Sequence, residues 1–238
     1  MKFRIFLVVI LFTAFLIASC SNSTEPTTTG SLSFSTKYSA TALAKINDLL
    51  AADSIKITKA TYILREIKFK AQRDSTEGLF KATPLLLELN LNGNIQDIGV
   101  LSVPFGTYTR LEFDIHRAEA SDTTAMSSDQ RVKIRPFFVG DKYSVIIEGK
   151  VYEGTTQRTF VYKSKINAKQ KIDLVQPLVV SDANPAVNAT MLISSNGWFK
   201  ENNTLLDPAD TKNETKINDN IRRSIKIIKD KNKDGITD

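Results

Sequence analysis

The sequence predicts an all-β protein, an antiparallel β-sandwich, and three observations carry that prediction. Apolar and polar residues alternate with period two through most of the span from Gly30 to about Lys200, the signature of strands buried on one face. Turn-forming Gly, Pro, Asn and Asp separate these runs at roughly ten-residue intervals, as in sandwiches. No helical periodicity intervenes between them, which argues against alternating βαβ units.

The chain opens with Lys2 and Arg4, followed by an unbroken apolar run from Ile5 to Ala18. At ~1.5 Å rise per residue this run falls well short of a hydrocarbon layer ~30 Å thick. It therefore fits a secretory signal peptide over residues 1–19 and not a permanent transmembrane helix. Its end, Ile17-Ala18-Ser19-Cys20, resembles the lipobox of bacterial lipoproteins. The resemblance implies cleavage before Cys20, acylation of Cys20 and a membrane partner reached through lipid alone. The competing reading is an ordinary signal peptide beside an accidental cysteine. Cys20, however, is the sole cysteine of the chain and stands at the required place. More than one acyl chain, at about 0.8 kcal/mol per buried methylene, anchors stably where a single chain is marginal. Ser21, in place of the Asp that marks inner-membrane retention, implies by the same resemblance an outer-membrane protein of the cell envelope, facing either side. Glu25 is a lone match to the acidic residues that some bacteria place there for surface display. Residues 20–30 are Ser/Thr-rich without large apolar groups and read as the lipidated Cys and a flexible tether.

Removing residues 1–19 takes away Lys2 and Arg4 and leaves 30 basic against 26 acidic residues, a net charge of +4. The signs are interspersed, with none of the basic stripes and stacking aromatics that nucleic-acid binding requires. No nucleic-acid partner is expected.

The sandwich itself is assigned to residues 31–200. Residues 40–52 admit either a short helix or an irregular insertion. SIKITKATYILREIKF (54–69) reads as a strand. In LLLELNLNG, Leu85, Leu87, Leu89 and Leu91 form one face and Asn92-Gly93 a turn. In RLEFDIH, Leu111, Phe113 and Ile115 face one way, and Arg110, Glu112, Asp114 and His116 the other. KYSVIIEGKVYEG (142–154) and RTFVYKSKI (158–166) are strands that EGTTQ joins as a hairpin. KIDLVQPLVV (171–180) and AVNATMLIS (186–194) complete the set.

One stretch carries a second resemblance. In VPFGTYTRLEF (103–113), Pro104 presets φ for a turn, Gly106 supplies conformational freedom and Tyr108 starts a strand. The Val-Pro-x-Gly-x-Tyr pattern resembles the strand start of prealbumin-like and related sandwich domains in exported bacterial proteins. With LLLELNLNG upstream, it is similar to bacterial lipoprotein domains of unknown function with that fold. The resemblance spans about residues 31–180, implies a prealbumin-like or Ig-like sandwich and brings no catalytic residues.

Residues 201–238 are read as a C-terminal helix and an Asp/Asn-rich loop. Ile217, Ile221, Ile225 and Ile228 fall at steps of four, four and three, one apolar stripe of an amphipathic helix. The closing DKNKDGITD matches the start of a calcium loop of the EF-hand kind. Asp230, Asn232 and Asp234 stand at its first three side-chain ligand positions, and Gly235 at its turn. Ile236 would offer its carbonyl and Asp238 would take the ninth position. No residue stands at the twelfth position, normally a bidentate Glu, so affinity for Ca²⁺ would be weak, ~10⁻⁴–10⁻³ M. The competing reading is a polar, turn-rich stop after the helix. No other cofactor is indicated.

Catalytic chemistry is sparsely provided for. With one His and with Cys20 committed to lipid, no Cys–His pair or Cys/His zinc cluster can form. His116 and Asp114 share a strand face, but no GxSxG elbow occurs and no carboxylate pair is marked out. Trp198, followed by Phe199, admits a sugar-stacking platform or a hydrophobic plug; the plug is favoured. The expectation is a cell-envelope lipoprotein with a non-catalytic binding or structural sandwich, its partner an envelope protein or a glycan. The alternatives are a carbohydrate-binding accessory lipoprotein and a glycan hydrolase.

Overall fold

The computed structural model describes residues 28–39, 54–71, 77–81 (backbone course only), 84–124, 126–202 and 204–238. The signal peptide, Cys20, most of the tether and the 40–52 segment lie outside the described residues. Thirteen strands are described: β1 (Thr29–Ser39), β2 (Ser54–Ala71), β3 (Glu77–Lys81), β4 (Leu85–Glu88), β5 (Gln96–Pro104), β6 (Gly106–Ile115), β7 (Val145–Glu153), β8 (Thr156–Ser164), β9 (Ala168–Val180), β10 (Ala186–Ser194), β11 (Lys200–Glu201), β12 (Thr204–Leu205) and β13 (Ile225–Lys229). Two α-helices join them, α1 (Ser128–Ile134) and α2 (Glu214–Arg223).

The protein is mostly β. Its larger sheet has the order β8-β7-β2-β6-β9, with β3 and β4 also pairing with β2, and its smaller sheet has the order β13-β10-β1-β5. Every strand pair described is antiparallel except β1 with β10, which run parallel from Ser31↔Ala186 to Ser39↔Ser194. That parallel pair departs from the purely antiparallel expectation. Strand periodicity reports which face is buried and carries no information on the direction of a distant partner.

Alternation places the core as the sequence predicts. Leu111, Phe113 and Ile115 point inward from β6, and the four alternating leucines from Leu85 to Leu91 all join the same cluster. From the facing sheet β1 contributes Leu32, Phe34 and Tyr38, and β10 contributes Val187, Ala189, Met191 and Ile193. The Phe34 ring meets Phe69 of β2 edge-on at 5.6 Å, joining the two sheets. β2 carries a register shift between Arg65 and Lys68, with Glu66 at φ 50°. That bulge lets its first half pair with β7 and its second half with β6.

The VPFGTY motif is the crossover from β5 in the small sheet to β6 in the large one. Tyr108 is fully buried and its hydroxyl donates to the Pro104 carbonyl at 2.8 Å, tying the corner. Gly106, by contrast, has no positive φ, and a Cβ there would meet nothing within 4 Å. The motif rests on Pro104 and Tyr108. At the same end Gly30 is required by close approach, since its Cβ would lie 2.5 Å from the Pro185 carbonyl oxygen.

The tail departs from expectation. α2 stops at Arg223, and the residues expected to extend it to Ile228 form β13. Ser224 ends the helix, its hydroxyl donating to the Ile221 carbonyl at 2.6 Å. Ile217 and Ile221 are buried from the helix, whereas Ile225 and Ile227 are buried from a strand paired with β10. The isoleucine stripe was ambiguous because a step of four residues suits helical and strand periods alike. The tail is therefore an edge of the small sheet and not an appendage to it.

Between β6 and β7 the chain makes an excursion across the outer face of the large sheet. Ala118, Met126, Ile134 and Phe137 pack there on Ile63 and Ile146 as a second, smaller core. Ser127 and Gln130 form a capping box that starts α1.

Candidate functional site

The closing loop folds back onto the outer face of the small sheet. Asp230 is fully buried, and its carboxylate is the hub. One oxygen accepts the Asp234 amide at 2.9 Å; the other accepts the Gly235 amide at 2.9 Å and the Thr190 hydroxyl at 2.6 Å. Asn188 Nδ2 donates to the Asp230 carbonyl at 2.8 Å. Gly235 takes φ 77°, and a Cβ there would lie 2.1 Å from Lys37 Cδ. Two lysines fasten the loop to neighbouring strands, Lys37 Nζ on the Asp234 carbonyl at 2.5 Å and Lys233 Nζ on Asp97 Oδ1 at 2.8 Å. The Lys233 ammonium, and then the Ser35 hydroxyl at 2.8 Å, hold the Asp97 carboxyl below its ordinary pKa.

Asn232, Asp234 and Asp238, three of the other expected calcium ligands, make hydrogen bonds within the loop. Asn232 Nδ2 donates to Asp234 Oδ2 at 2.9 Å, Asp234 Oδ1 accepts the Ile236 amide at 2.7 Å, and Asp238 accepts the Lys231 amide. Among the described residues no group of three or more His, Cys, Asp or Glu side chains converges to hold a metal. The observed chemistry of this loop is a hydrogen-bonded latch between the chain end and β1, β5 and β10.

Trp198 is fully buried, with its ring edge-on to Tyr38 at 6.5 Å and to Tyr62 at 6.2 Å. Its indole N–H donates to Ser224 Oγ at 2.9 Å. Phe199 stacks edge-on against Phe160 and Tyr162 of β8. Both rings are interior, so Trp198 offers no face to a sugar; it plugs the space where the α2 segment covers the large sheet.

His116 and Asp114 do share a face, and three further groups join them that the sequence did not single out. Arg65, opposite Asp114 in the register, pairs with buried Asp122 and reaches Glu119 at 3.4 Å. His116 Nε2 lies 3.6 Å from Glu119 Oε1. Burial and then the Arg65 guanidinium hold the imidazole below its ordinary pKa, against the opposite pull of Glu119 and Asp114. Arg65 Nε, Asp114 Oδ1 and His116 Nε2 are buried without hydrogen-bond partners among the described residues. The cluster is an ion-pair network stapling the excursion to β2. The i,i+3 spacing of His116 and Glu119 was its one local signal; Arg65 is brought in only by strand pairing.

Among the described residues no helix is long and apolar enough to cross a membrane. No family model, curated protein or solved structure matches the chain.

Proposed function

We propose that this chain is a lipid-anchored protein of the bacterial cell envelope, held in the outer membrane by acylated Cys20, with a prealbumin-like sandwich that serves as a non-catalytic binding or structural module. The observation that carries the reading is the single cysteine at the end of a short apolar run, in the setting Ile17-Ala18-Ser19-Cys20. The start of the fold agrees with it. β1 begins at Thr29, so the residues between Cys20 and the first strand span at most about 30 Å when fully extended. The strand is seated firmly there, with the Phe105 amide donating to the Thr28 carbonyl at 2.8 Å and the Ser31 amide to the Pro185 carbonyl at 2.7 Å. The test is metabolic labelling with a palmitate analogue in a bacterial host. Wild type is expected to incorporate label and Cys20→Ala to lose it; equal labelling of the two refutes the anchor.

A further inference from the structure

We propose that the excursion between β6 and β7 presents a docking surface for an acidic, aliphatic segment of a partner protein. Four cations, Arg131, Lys133, Arg135 and Lys142, stand against two carboxylates, Asp129 and Asp141, between residues 128 and 142. Asp141 is already taken by Lys165 at 2.5 Å. Among the described residues no carboxylate pairs with Lys133, Arg135 or Lys142. Set among these cations are two of the most exposed large apolar side chains in the structure, Val132 at 58% and Val139 at 62%. Their neighbours Ile134 and Phe137 are buried in the small core beneath, so the segment is held rigid while its valines face solvent. A rigid support lowers the ordering cost of binding, and a surface that carries unpaired cations beside exposed valines complements a chain that carries both carboxylates and aliphatic groups.

Position selects the partner class. β6 runs from Gly106, paired with Val180 near the tether attachment, to Ile115 at the opposite pole, about 30 Å away at the usual strand rise. The excursion leaves from that far pole. Given the proposed anchor, on which only this placement depends, the surface lies at the end of the domain far from the tether. Exposed valines, with no exposed aromatic platform among the most exposed large apolar groups, fit a peptide better than a glycan.

Binding of a fluorescent peptide of alternating Glu and Leu is measured by anisotropy, on the full chain and on its Cys20→Ala form. Saturable, salt-sensitive binding is expected in both forms, so loss of the anchor reading would leave this result standing. Lys133→Glu/Arg135→Glu and Val132→Ser/Val139→Ser should each weaken it at least tenfold with unchanged melting temperature. Absence of saturable binding overturns the proposal. So does equal competition by polyglutamate, by polyglucuronate or by phosphatidylglycerol vesicles, because the valines would then contribute nothing.

Discussion

Asp230 shows how one side chain can determine the fate of a chain end. A buried carboxylate is tolerable only when its hydrogen-bonding capacity is met, and here two backbone amides and the Thr190 hydroxyl meet it. Replacing it by alanine strands those donors. Asp230→Ala is expected to cost about 2–4 kcal/mol in urea denaturation, and the loss should be the same with a calcium chelator present. A destabilisation that appears only when calcium is supplied would show the loop to be a metal site instead. The spacing Asp-x-Asn-x-Asp-Gly marked these residues in the sequence because the same turn chemistry serves a metal loop and a metal-free cap. The sequence could not show that Asp230 is buried, because its setting depends on Asn188, Thr190 and Lys37, which are remote in sequence.

At the scale of elements, the strands were legible and the tail was only half so. Alternation located β2, β4, β6 and the β7–β8 hairpin, whose register runs to Glu153↔Thr156 about Gly154 at φ 58°. The switch from α2 to β13 was hidden by isoleucines at a spacing common to both periods. It is enforced from outside, by Ser224 closing the helix and bonding Trp198, and by β10 offering a free edge. Trp198 is thus the joint that holds α2 over the large sheet. Trp198→Ala should cost about 3–5 kcal/mol, as a large aromatic lost from a core does. Trp198→Phe should cost distinctly less, because only part of the ring and one hydrogen bond are lost. Denaturation midpoints for the two variants separate this plug from a surface aromatic, whose removal would leave stability within about 0.5 kcal/mol of wild type.

At the scale of the molecule, the two poles are built differently. One gathers the start of β1, the Pro104–Tyr108 corner and the 181–185 turn, where Gly30 packs so closely that no side chain fits. The other carries the excursion, with the Arg65–Asp122 staple beneath it and the cationic, valine-bearing surface outside. The sandwich was readable because half-buried strands write their burial in period two. The parallel β1–β10 pairing was not, because it joins the two ends of the domain and no local pattern encodes a partner's direction. The central claim, that this sandwich hangs from a membrane by a lipid on Cys20, is tested most directly by the intact mass and N-terminal peptide of the protein purified from bacterial membranes. The account predicts a first residue Cys20 carrying diacylglycerol and fatty-acyl mass; a mature chain beginning elsewhere, with Cys20 a free thiol, would contradict it.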